Sequence, residues 1–140
     1  MNTLLQDHTT VPSLEHLGAT AGPALGAPRA RTVVTWVLQL GLAGMFLMAG
    51  SMKLGGDPAL VAAFEQIGVG QWFRYVTGAI EVGSALALLH PALAFYGAVL
   101  LVPTMVGAVI THLFVIGGSP AIPAGLLLAS AAVVVLRRPR

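Results

Sequence analysis

Thr77-Gly78-Ala79-Ile80-Glu81-Val82-Gly83 sets one carboxylate near the middle of an apolar run from Trp72 to Leu89. At the centre of a spanning helix a carboxylate costs roughly 2.5 to 3.5 kcal/mol on insertion scales, so such a residue faces the protein interior or a wet cavity rather than lipid. Its neighbours one helical turn away, Thr77, Gly78, Ser84 and Ala85, are all small, which lets another helix approach that face. The stretch therefore predicts a helix packed inside a bundle with its acid turned inward. Above Glu81 the run begins with Trp72, Phe73 and Tyr75, an aromatic belt of the kind found at a membrane interface, and Arg74 sits among them.

Composition agrees. The 140 residues are 56% hydrophobic and 9% charged, against roughly 25% charged in a soluble domain. Mean hydropathy is +0.87. The expected fold is all-α, an integral membrane four-helix bundle with a short amphipathic interfacial helix between the first and second spans. The formal net charge of +2 comes mainly from arginines at the ends of the apolar region, which act as topology signals and not as a nucleic-acid surface. No cysteine is present, which excludes a disulfide framework, a thiolate metal site and a Cys-based redox relay within the chain.

Four spans are expected at about 32–54, 72–89, 92–115 and 121–136. In the first, Gln39, Phe46 and Lys53 recur every seven residues, so its two polar ends share a stripe that faces the bundle. Gly55-Gly56-Asp57-Pro58 breaks that helix, with Asp57 as a cap and Pro58 in the first turn of the next piece. Residues 58–67 place Leu60, Val61, Phe64 and Ile67 on one side, and the expectation is a surface anchor in preference to a lid. His90-Pro91 makes the second and third spans antiparallel neighbours. Pro103 predicts a kink in the third span, whose last turns carry His112. Residues 1–30 read as a disordered cytoplasmic tail with a short helix around 13–17, and residues 31–138 as the membrane domain. The tail lacks the pattern of a secretory signal, and its His8 and His16 specify no metal geometry.

Arg29, Arg31, Arg137, Arg138 and Arg140 outnumber Lys53 and Arg74, which predicts a multi-pass membrane protein with both termini cytoplasmic. Lys53, the amphipathic segment, Arg74 and His112 then converge on the outer half, above Glu81. The candidate pocket is Glu81, His112, Lys53, Arg74 and Thr77. Such a group would hold a polar head group, pass a proton or bind a quinone carbonyl. The competing reading is a structural ion pair between Glu81 and Lys53 or Arg74. Met45, Met48 and Met52 share a helix face, where their spacing reads as packing and not as a copper(I) site, and no metal is expected.

Taken in order, Gly41-Leu42-Ala43-Gly44-Met45-Phe46-Leu47-Met48-Ala49-Gly50-Ser51-Met52-Lys53-Leu54, then Phe64 and Gly68, then Thr77 to Glu81, then Thr111-His112-Leu113, the chain resembles the DoxX-like family of small four-helix bacterial membrane proteins over about residues 33–138. Its namesakes look like small subunits of a thiosulfate:quinone oxidoreductase or a terminal quinol oxidase, and relatives are associated with oxidative-stress complexes. What the resemblance implies here is a quinone-linked or redox-associated accessory subunit, with quinone as a non-covalent cofactor and Lys53, Glu81 and His112 where the family carries polar residues. The resemblance also implies a place in the bacterial cytoplasmic (inner) membrane; the expected partners are the lipid bilayer, a larger redox complex and a second copy of the chain, with no nucleic acid. Two alternatives remain: a transporter of a small solute or protons, and an assembly subunit with no ligand.

Overall fold

The computed structural model describes residues 26–139. The predicted short helix at 13–17, His8, His16 and most of the expected tail lie outside them. Five α-helices account for the described residues, with no strand: α1 Ala27–Gly55, α2 Pro58–Ile67, α3 Gln71–Leu89, α4 Ala94–Thr111 and α5 Ala121–Leu136.

The first helix starts five residues before the expected 32. Pro28 lies in its first turn, where a missing N–H costs nothing, so residues assigned to the tail are helical. Asp57 caps α2 as expected, its carboxylate accepting from the backbone N–H of Ala59 at 3.0 Å and Leu60 at 3.3 Å. The α3–α4 turn is longer than His90-Pro91, because the backbone N–H groups of Leu93 and Ala94 bond back to the His90 carbonyl before α4 begins. The helix α4 runs through Pro103 without a break, and from His112 to Ile116 its backbone widens into a π turn. The third span, expected at about 92–115, therefore ends in a π turn instead of α-helix, and π turns of this kind are frequent at functional sites. Gly117 and Gly118, both at positive φ, end it.

Around the bundle α1 packs on α3, α3 on α4, α4 on α5 and α5 back on α1, while α2 lies across α3, the π turn and α1. The core is one cluster: Leu42, Ala43 and Phe46 of α1, Ala85 and Leu88 of α3, Ala98, Leu101 and Met105 of α4, and Val133 of α5. Two contacts require glycine. A Cβ on Gly50 would lie 2.8 Å from the Val82 side chain and 2.9 Å from the Gly78 carbonyl, and one on Gly97 would lie 2.8 Å from the Ser84 carbonyl. These close approaches draw α1 and α4 onto α3, making it the central helix.

Outside the bundle the surface is apolar. Phe114, Leu128 and Ile122 are 80%, 72% and 70% exposed. Met45, Met48 and Met52 are exposed on α1 as well and take no part in the packed core. Among the described residues two helices are long and apolar enough to cross a membrane, Pro28–Gly55 and α4 with its π turn, Ala94–Ile116.

Candidate functional site

The buried residues of α3 are Arg74, Gly78, Glu81, Ser84, Ala85 and Leu88, a single stripe at helical spacing, so Glu81 faces its fellow helices. Those of α1 are Thr35, Gln39, Leu42, Ala43, Phe46 and Gly50, with the partly buried Lys53 one turn beyond. Running antiparallel, the two stripes meet. Lys53 Nζ donates to both carboxylate oxygens of Glu81, at 2.8 and 3.0 Å, with the Glu81 side chain 3% exposed and that of Lys53 15%. The contact is charge-assisted and two-pronged, the strong form of such a bond.

Arg74 goes elsewhere. Its guanidinium donates to the Lys53 backbone carbonyl and, through Nε, to Gln71 Oε1 at 2.8 Å, and it lies 4.3 Å from the centre of the Tyr75 ring. The Lys53 carbonyl belongs to the last turn of α1, where carbonyls have no helical donor and a cation also meets the negative end of the helix dipole. Of the two cations offered as partners for Glu81, Lys53 is the one that pairs with it. Arg74 holds the helix end that carries Lys53.

Glu81, Lys53, Thr77 and His112 line one cavity of 650 Å³ at the end of the bundle where α1 finishes; Arg74, expected in the same pocket, does not line it. Thr77 Oγ1 donates to the carbonyls of Phe73 or Arg74, so it offers the cavity an acceptor. His112 Nδ1 lies 2.9 Å from the Ala108 carbonyl. A carbonyl only accepts, so Nδ1 carries the hydrogen and Nε2 is the remaining polar atom of the ring. Apolar side chains of all five helices supply most of the remaining wall, with Thr104, Thr111 and Ser119 adding hydroxyls.

The amphipathic segment also belongs to this cavity. Leu60, Ala63, Phe64 and Ile67 of α2 line it, Phe64 is buried, and the Phe64 and Phe73 rings pack 5.9 Å apart. Its apolar side therefore covers the cavity, where the sequence suggested a surface anchor. The same amphipathic pattern serves either purpose, and only the position of α3 and the π turn decides between them.

A second polar assembly escaped the sequence reading. At the opposite end, Gln39 is fully buried; its Nε2 donates to the Leu88 carbonyl and its Oε1 accepts from Arg137 Nε at 2.8 Å. Arg137 also lies 5.4 Å from the Trp36 ring centre. The available signal was Gln39 itself, since an amide inside an apolar helix must find partners for both of its ends.

A model of the DoxX-like family matches residues 37–135, and the chain belongs to that family. No curated protein and no solved structure matches it. Family and apolar helices together are those of a membrane protein.

Proposed function

We propose that this DoxX-like protein is a four-span, multi-pass protein of the bacterial inner membrane, with both termini cytoplasmic, that holds a quinone head group in its outer-half cavity as an accessory to a larger redox complex. One observation carries the reading: a buried Lys53–Glu81 pair, with His112 and several hydroxyls, borders an otherwise apolar cavity of 650 Å³, a size suited to a small-molecule ligand. At about 1.5 Å per residue, α3 with 19 residues reaches about 28 Å and α5 with 16 about 24 Å, long enough to complete a four-span bundle when Pro120 and Arg137 lie among the head groups. The charge bias behind the orientation is sharper than a residue count suggests. Lys53 is paired and Arg74 caps a helix end, so the outer half has little exposed positive charge, whereas Arg29, Arg31 and Arg138 are exposed.

The donor set fits a quinone. Its carbonyl oxygens accept hydrogen bonds, and the Lys53 ammonium, with two N–H groups on Glu81, keeps a third to donate; Nε2 of the His112 ring is an acceptor, suited to a hydroxyl of the reduced form, and the quinone ring and tail match the apolar wall. When bound, a quinone supplies an acceptor of two electrons and two protons. Glu81 is the group that would hold or relay a proton inside the cavity, and Lys53 is positioned to balance its charge. The chain has no cysteine for a thiol relay, and the electrons are assigned to a partner. A second reading draws on the tie between α1 and α3 made by Lys53, Glu81 and Arg74: an assembly subunit whose ion pair is structural.

Titrating the purified protein with a quinone analogue tests the proposal. Glu81→Gln is expected to weaken binding at least tenfold. Unchanged affinity in a folded Glu81→Gln variant removes the quinone reading and leaves the structural one.

A further inference from the structure

At the end of the bundle away from the cavity, the first turns of α1 and the last of α5 frame a groove of 420 Å³, bordered by Arg31, Arg137, Arg138, Thr32 and Thr35. Two of its arginines are fixed in place by one N–H each: Arg31 Nη2 donates to the Leu136 carbonyl at 3.1 Å, and Arg137 Nε donates to the buried Gln39. A guanidinium has five N–H groups, so each retains donors after that anchoring bond and has already lost much of its rotamer freedom. The threonine hydroxyls donate to α1 carbonyls, Thr32 to Pro28 at 3.0 Å and Thr35 to Arg31 at 2.7 Å, which leaves the arginines as the donors of the groove.

Among the described residues no acidic side chain borders this groove. Among the described residues the acids are Asp57, Glu65 and Glu81, and all belong to the half of the bundle that holds the cavity. The positive end of the α1 dipole opens here too, with no side-chain cap and no acidic residue in its first turn. The negative end of α5 is answered in part by the bond from Arg31. Beside the groove the surface is apolar, with Val33, Val34 and Val37 of α1 and Val135 of α5 exposed.

We propose that this groove binds the phosphate of an anionic phospholipid, its acyl chains running down the valine-covered faces of α1 and α5. Fixed guanidinium forks match phosphate oxygens, and flanking apolar surface favours a lipid phosphate over a free one. The proposal goes beyond the quinone reading and uses none of the cavity residues, so either can fail alone.

Trp36, beneath Arg137, supplies a reporter. The full chain carrying Trp72→Phe, which leaves Trp36 as its single tryptophan, is titrated in detergent with dioctanoyl phosphatidylglycerol, dioctanoyl phosphatidylcholine and inorganic phosphate. The expected result is a saturable change in emission with phosphatidylglycerol alone. Arg138→Gln, at an exposed position, should weaken that binding about fivefold, and Arg31→Gln with Arg138→Gln about twenty-five-fold, from about a factor of five per arginine. Thermal unfolding of each variant checks that the fold is kept. Saturation by phosphatidylcholine at the same concentration overturns the proposal. So does unchanged affinity in the folded double variant. Saturation by inorganic phosphate with the same arginine dependence overturns it in favour of a free-anion site.

Discussion

The two ends of this bundle bury polar groups in opposite ways. Where α1 begins, Gln39 is closed in by the Leu88 carbonyl on one side and Arg137 on the other, next to the packed core residues Leu42, Leu88 and Val133. Where α1 ends, Lys53 and Glu81 answer each other but border a cavity. Both arrangements join helices, and a polar side chain in an apolar bundle is therefore not in itself a site. What separates them is the space beside the buried group: Lys53 and Glu81 line the cavity, whereas Gln39 borders neither the cavity nor the arginine groove. Gln39 has its amide engaged at both ends, whereas the Glu81 carboxylate has unused lone pairs next to space for a ligand, which marks its half as the place for chemistry.

The most severe way to break this contrast is to remove one member of the ion pair. Glu81→Gln should destabilise the protein by about 3 kcal/mol or more, since it strands the Lys53 charge in a partly buried place, and adding Lys53→Met should recover most of that loss. Thermal unfolding in detergent measures stability, and the quinone-analogue titration measures function. Recovery of stability without recovery of binding separates a functional pair from a structural one. A rescued double variant that binds as well as the parent would make the two ends alike.

At the other end Gln39→Leu leaves the Leu88 carbonyl and the Arg137 side chain without their partner, with an expected loss of about 1 to 3 kcal/mol by the same unfolding measurement. Affinity for the quinone analogue should not change. If it falls as much as in Glu81→Gln, the halves are coupled and the contrast fails.

A smaller effect of opposite sign is expected between them. Ser84 Oγ is buried beside the tight crossing of Gly97 and has no hydrogen-bond partner. Ser84→Ala removes that unsatisfied group at almost constant shape and should raise stability by about 1 kcal/mol, with binding unchanged. A loss of stability instead would mean that Ser84 has a polar partner, extending the polar character of the cavity half inward by one helical turn.

Much of the architecture was legible because it follows from local pattern. Hydropathy marks the long apolar segments, glycine and proline punctuate them, Asp57 caps α2, and seven-residue spacing places Gln39, Phe46 and Lys53 on one inward-facing stripe. The inward turn of Glu81 was equally readable, because lipid penalises a carboxylate wherever it falls. Helix limits were less so at α1, where Pro28 starts the helix early, and at His112, where the α-helix gives way to a π turn that hydrophobic periodicity does not encode.

By itself, then, the sequence determined an all-helical membrane chain of the DoxX-like family with one acid directed into its interior. The tertiary structure alone decided who meets whom: Lys53 with Glu81, Arg74 with the end of α1, Gln39 with Arg137, and α2 over the cavity. The reason is physical. Burial of a charge is a property of one residue in its solvent, and any chain segment carries it, but the choice among several long cationic side chains depends on angstrom-scale register between helices. That register is set by the close approach of backbones at Gly50 and Gly97, a contact formed only when distant segments pack.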